Sequence, residues 1–122
     1  MSSGPSGSGR ASSVEWAWRE DALVLEGDLD ADCADAVVDG VAEAWVLRGP
    51  RRLLDLTDLD VEDGPANARL VDLVRTLRDA AGHMVLLGAP QMLAHVLYKV
   101  GDLEQGRIRL VAPRSDEGGP VN

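Results

Sequence analysis

The chain has 122 residues, of which 45% are hydrophobic, so it is long enough for one domain with a real core and too short for two. Its 21 acidic and 12 basic residues give a net charge of −9, which argues against nucleic acids and anionic lipid surfaces as partners. With one cysteine, no signal-peptide pattern and no apolar run of the roughly 20 residues that span a bilayer, a cytoplasmic protein is expected.

Composition divides the chain into three segments. Residues 1–13 are mostly Ser and Gly, and residues 113–122 combine Pro, Gly and charged residues. Segments of this kind cannot bury enough apolar surface to fold. We therefore expect a disordered N-terminal tail over 1–13, one folded domain over 14–112 and a flexible C-terminal tail over 113–122.

Within the domain, the apolar periodicity predicts the element order ββαβαβαβ. The predicted elements are a hairpin at 14–19 and 22–26, helices at 31–47, 65–81 and 90–100, and strands at 51–56, 83–88 and 107–111. Strands separated by helices pair in parallel through right-handed crossovers. The expected fold class is therefore α/β, with a mixed, mostly parallel sheet of about five strands packed by three or more helices. The nearly all-apolar run 83–88 is typical of a central strand that is covered on both faces.

An acidic turn precedes the second predicted helix. Helix N-termini leave backbone N–H groups unpaired and partly positive, so such junctions are frequent functional sites. The segment from Asp58 to Ala68 carries carboxylates but no Ser, Thr, His, Lys or Cys. The absence of a nucleophile in this turn favours binding rather than catalysis.

Metal and thiol sites are not expected. Asp58-x-Asp60-x-Glu62 begins like a calcium loop, but Gly64 comes one place too late and Arg69 stands where the bidentate glutamate is needed. A solvated acidic turn is the preferred interpretation. The lone Cys33 begins the first helix among aspartates that oppose thiolate formation, so it is interpreted as a structural thiol.

Three short motifs accompany this order of elements: Leu25-Glu26-Gly27-Asp28-Leu29-Asp30 after the second strand, Leu54-Asp55-Leu56-Thr57 at the end of the third, and Asp63-Gly64-Pro65-Ala66 at the start of the second helix. Together they resemble the STAS domain of bacterial anti-sigma factor antagonists. The first motif resembles the Gly-Glu-Leu-Asp turn of that family, the second resembles its Asp-Leu-Ser strand end, and the third stands where the family carries Asp-Ser-Ser-Gly. The resemblance covers nearly all of 14–111 and implies the STAS fold.

The resemblance also implies a phosphorylation switch whose acceptor is missing here. In the family, a partner kinase phosphorylates the serine after the aspartate, and this change controls the release or capture of a sigma factor. The corresponding position is Gly64, followed by Pro65, and neither side chain can carry phosphate. Two hypotheses follow: the domain is locked in its unmodified, binding-competent form, or Glu62 and Asp63 imitate the modified form. Thr57 is left open as a displaced acceptor.

The expected function is a non-catalytic protein-interaction module that needs no cofactor and binds a regulatory kinase, an anti-sigma factor or a larger complex. The predicted partner-binding residues are Asp28, Asp30, Asp60, Glu62, Asp63, Gly64, Pro65, Ala66, Asn67 and Arg69. One alternative is a STAS-like accessory subunit of a lipid-transport ABC system. Another is a small metal-dependent enzyme that uses the turn 58–63. A homodimer and a small ligand beside the second helix also remain open.

Overall fold

A computed structural model describes residues 8–47, 53–101, 103 and 106–114 of the chain. In chain order the elements are β1 (Gly9–Ala11), β2 (Val14–Arg19), β3 (Ala22–Leu29), α1 (Ala31–Leu47), β4 (Leu53–Val61), α2 (Gly64–Ala81), β5 (Met84–Leu87), α3 (Gln91–Lys99) and β6 (Ile108–Val111). Arg51 and Arg52, at the start of the predicted third strand, lie outside the described residues.

Within the described residues, the strands form one six-stranded sheet in the spatial order β1-β2-β3-β4-β5-β6, which is also their order in the chain. The pairs β1/β2 and β2/β3 are antiparallel, and β3/β4, β4/β5 and β5/β6 are parallel. The predicted mixed, mostly parallel sheet is therefore confirmed, with one strand more than expected. Helix α2 packs against both α1 and α3, so the helices form a single layer over one face of the sheet.

The two faces of the sheet differ in burial. Leu23, Leu54 and Leu86 are paired neighbours on β3, β4 and β5, and each is fully buried beneath the helix layer. Their neighbours along the strands point to the opposite side, because side chains alternate along a strand. We call that side the open face. Its side chains belong to Glu15, Ala17, Arg19, Ala22, Val24, Glu26, Leu53, Asp55, Asp58, Val85, Leu87, Arg109 and Val111.

The core between sheet and helices consists mainly of Leu, Val and Ala, completed by tryptophans near the β2 edge. A Cβ atom at Gly40 of α1 would lie 2.1 Å from the indole of Trp16, so the helix needs glycine to pack against that ring. Trp18 donates its indole N–H to the carbonyl oxygen of Ala44 at 3.1 Å. The intrinsic helix cost of Gly40, about 1 kcal/mol relative to alanine, is thus offset by aromatic packing.

Three expectations about boundaries and burial are wrong. Gly9–Ala11 pairs with β2 instead of belonging to a disordered tail, and Pro113 and Arg114 are placed against the sheet rather than in a loose tail. Residues 1–7 and 115–122 of the predicted tails lie outside the described residues. Strand β5 is not covered on both faces, because Val85 and Leu87 on the open face remain partly exposed.

Strand β4 is longer than predicted, and this changes the acidic turn. The strand continues to Val61, so the turn before α2 is reduced to Glu62 and Asp63. The parallel register of β3 and β4 shifts between Val24 and Glu26, where β4 contains an extra residue. Asp58, which the sequence placed in the turn, is therefore a strand residue, and it lies with Asp55 on the open face.

Candidate functional site

Helices α1 and α2 begin side by side, at the edge of the sheet where the parallel strands β3 and β4 end. The backbone N–H of Glu62 donates to the carbonyl oxygen of Leu29 at 2.8 Å, which joins the two strand ends. Parallel neighbours must bring their carboxyl ends to the same edge, so two segments more than 30 residues apart in sequence meet there.

Asp63 links the N-termini of both helices. It is the N-cap of α2, and its Oδ1 accepts the N–H of Ala66 at 2.9 Å. Its Oδ2 accepts the N–H of Ala31, the first residue of α1, at 3.2 Å. Asp30 caps α1 by accepting the N–H of Cys33 at 3.1 Å. These carboxylates satisfy backbone donors that would otherwise be orphaned and complement the positive ends of the helix dipoles.

Gly64, the position that corresponds to the phosphoacceptor, is exposed at the first residue of α2. A Cβ atom built there would have no heavy atom within 4 Å. The fold therefore has space for a serine at this position, and the missing hydroxyl is a property of the sequence rather than a steric requirement. Pro65 follows in the first helical turn, where its lack of an N–H costs nothing.

The predicted partner-binding residues divide into an exposed group and a group that is half-buried or buried. The exposed residues Asp28, Asp60, Glu62, Gly64 and Pro65 form the rim of the site, and we call this set the interaction edge.

The other predicted residues have structural roles. Ala66 is fully buried and Asn67 is 5% exposed, so neither side chain is accessible at the surface. Asn67 instead donates its side-chain amide to the carbonyl oxygen of Met92 at 3.2 Å, which joins α2 to α3. Arg69 lies on the flank of α2 and donates to Asp35 of α1 at 2.8 Å.

Sequence reasoning missed Arg114, which pairs with Asp55 and Asp58 on the open face. Its Nη1 lies 2.6 Å from Asp55 Oδ2, its Nη2 donates to Asp58, and its backbone N–H donates to Thr57 Oγ1 at 2.9 Å. The carboxylate of Asp55 is almost fully buried. An aspartate buried in a mostly apolar strand needs a cationic partner, but the sequence pattern does not indicate which residue supplies it.

The thiol of Cys33 is buried under the start of α1. Burial raises the pKa of the Cys33 thiol, and the side chain of Asp30 raises it further through its hydrogen bond and its charge. The expected direction is confirmed, although burial outweighs the neighbouring acids.

Neither a metal centre nor a membrane span is found among the described residues. No group of three or more His, Cys, Asp or Glu side chains there is arranged to hold a metal ion. In the same part of the chain, no helix combines the length and the apolar character that crossing a membrane requires.

Comparison with known proteins supports the fold. No protein-family model and no curated protein matches the sequence. The crystal structure of a putative anti-sigma factor antagonist from Thermotoga maritima superimposes with a TM-score of 0.55 at 16% identity, covering 82% of this chain and 86% of that one. An NMR structure of the same Thermotoga protein gives a TM-score of 0.56 at 16% identity, with 80% and 79% covered. The chain therefore has a STAS-like fold.

Proposed function

We propose that this STAS-like domain is a non-catalytic interaction module of a bacterial regulatory system, of the anti-sigma factor antagonist type, and that it works without a phosphorylatable serine. The proposal rests on the residues found at the N-terminus of α2. An exposed turn is present at the edge where α1 and α2 begin, but Gly64 supplies no hydroxyl there. The structural likeness to a putative anti-sigma factor antagonist supports the same class.

The hydrogen bonds of Asp63 favour the locked, binding-competent form over permanent imitation of a phosphate. Both oxygens of its carboxylate accept backbone N–H groups, one from each helix. This charge is therefore used to cap helices and does not project as a phosphate would. Glu62 is exposed and remains available for contact with a partner. In this proposal the interaction edge binds a cytoplasmic regulatory kinase or anti-sigma factor constitutively.

The contact surface is tested by affinity capture from a lysate of the source bacterium, followed by mass spectrometry. The wild type is compared with Glu62→Lys, which reverses one charge on the interaction edge. Glu43→Lys is the matched control, because Glu43 is an exposed carboxylate in the C-terminal half of α1. We expect a sigma-regulating kinase or anti-sigma factor to be captured by the wild type and the control and to be lost with Glu62→Lys. An identical set of captured proteins for all three would contradict the proposal.

The missing switch is tested by restoring the hydroxyl. The lysate is supplied with labelled ATP and either the wild type or Gly64→Ser, which the open space at this position should accommodate. We expect label on the introduced hydroxyl of the variant, release of the captured partner on phosphorylation, and no label on residues 57–67 of the wild type. Label on Thr57 of the wild type would replace this proposal with a displaced acceptor.

A further inference from the structure

The open face contains a cavity that the interaction edge does not use. Its volume is about 500 Å³, within the range of roughly 300–1,000 Å³ typical of small-molecule sites. Ala22, Val24 and Leu87 provide the apolar part of its wall. Val24 is 4% exposed although it lies on the open face, and Arg19, Glu20 and Arg114 line the cavity with it.

Arg114 forms one wall of this cavity and is fastened to β4 by hydrogen bonds. Its guanidinium bridges Asp55 and Asp58, and its backbone N–H donates to Thr57. The chain reaches this position from the end of β6, where the carbonyl oxygen of Val111 accepts the N–H of Gly88 at 3.0 Å. We call the three contacts of Arg114 the clasp. The clasp ties the C-terminal segment across β5 onto β4.

The charges around the cavity define the ligand that it would accept. With the clasp closed, the wall contains two arginines, Arg19 and Arg114, and two acids, Glu20 and Asp55. If Arg114 moved away, Asp55 and Asp58 would lose their cation and the site would become net negative. A cavity with apolar walls and a net negative charge favours a neutral or cationic molecule over an anion.

We propose that this cavity binds a small apolar ligand that carries no negative charge, and that the Arg114 clasp controls access to it. The cavity lies beside the first residue of β3, whereas the interaction edge lies at the carboxyl ends of β3 and β4. The proposal is therefore independent of the proposed function, and either can fail without the other.

The test uses the full chain and the neutral fluorescent probe N-phenyl-1-naphthylamine. The wild type is compared with Arg114→Ala and with Arg107→Ala, a control that removes an equal charge from a half-buried arginine paired with Asp79. We expect Arg114→Ala to bind the probe at least about tenfold more tightly than the wild type. Arg107→Ala should bind it as the wild type does. Equal binding by the two variants would overturn the proposal.

The location of the probe is tested by filling the cavity. Adding Ala22→Leu to Arg114→Ala should abolish the gain in affinity, whereas Ala80→Leu, on an exposed position of α2, should leave it unchanged. An anionic naphthalene sulfonate should bind Arg114→Ala at least about tenfold more weakly than the neutral probe does. A gain that survives Ala22→Leu, or an anionic probe that binds equally well, would overturn the proposal.

A second variant covers the case in which Arg114→Ala does not fold, as judged by circular dichroism. Asp58→Asn weakens the half of the clasp that is accessible to solvent and leaves Asp55 paired. We expect it to increase probe affinity severalfold relative to the wild type. No increase in this folded variant would also overturn the proposal.

Discussion

Two pairs of aspartates have different roles in the fold. Asp30 and Asp63, beside the interaction edge, accept backbone N–H groups and connect the starts of α1 and α2. Asp55 and Asp58, on the open face, accept a guanidinium from the other end of the chain. The first pair caps helices that begin directly after it, whereas the second depends on a residue nearly 60 positions away. In the sequence, the acidic residues from Asp55 to Asp63 form one run, but in the fold they belong to two separate places: the open face and the starts of the helices.

The largest effect is expected on the open face. Arg114→Ala should lower the free energy of unfolding by about 3–5 kcal/mol, because it leaves the buried carboxylate of Asp55 without its cation. Urea unfolding of the variant and the wild type measures this loss. The double variant Asp55→Leu with Arg114→Ala should recover most of it, since no buried charge then remains.

A loss below about 1 kcal/mol for Arg114→Ala, the value typical of surface ion pairs, would contradict the role given to Arg114. Asp55 would then be stabilised by its neighbours on β4 alone. One such neighbour is Thr57, whose backbone N–H donates to Asp55 Oδ1 at 3.0 Å.

An intermediate effect is expected at the interaction edge. Asp63→Ala removes an acceptor for one N–H of each helix and should cost about 1–2 kcal/mol. Asp30→Ala removes the cap of α1 alone and should cost about 1 kcal/mol. Urea unfolding of both variants measures the two losses in the free energy of unfolding. An equal or larger loss for Asp30→Ala would show that the bridge from Asp63 to Ala31 contributes nothing.

The sequence predicted the parts of the fold that depend on local patterns. Helix α1 runs over 31–47 as expected, because an N-cap lies directly before it and an apolar stripe and an acidic first turn lie within it. Helix α2 begins one residue before the predicted start at 65, with Pro65 in its first turn, so this start also follows from the local sequence.

The contacts that the sequence did not predict are those made between distant segments. Strand β1 consists of Gly, Arg and Ala, and its place is set by β2, with Gly9 so close to the indole of Trp16 that a Cβ would lie 2.6 Å away. Arg114 lies in a segment whose composition suggests a tail, and its partners are fixed by the sheet. The burial of Asn67 follows from the packing of α3 on α2, which no pattern within α2 indicates.

A small effect is expected where the interaction edge meets solvent. Gly64→Ser should change the free energy of unfolding by less than about 0.5 kcal/mol, because a Cβ atom at this exposed position meets no other part of the fold. Thermal unfolding by circular dichroism measures this. A loss above about 1 kcal/mol would mean that position 64 needs glycine, and the missing serine would then have a structural explanation.

The smallest effect concerns Cys33, which lies beneath the same edge and is buried like Asp55, but has no cation to compensate a charge. Burial raises the pKa of its thiol above the ordinary value of 9.0, so the folded state holds the proton at pH values where the unfolded state begins to lose it. This contribution to stability is fully present below the pKa of the unfolded thiol and is lost as the pH rises through the folded pKa. Urea unfolding at rising alkaline pH should therefore show a steeper decline for the wild type than for Cys33→Ala. Because the two proteins differ only at position 33, parallel declines would mean that the thiol ionises as easily in the fold as in the unfolded chain.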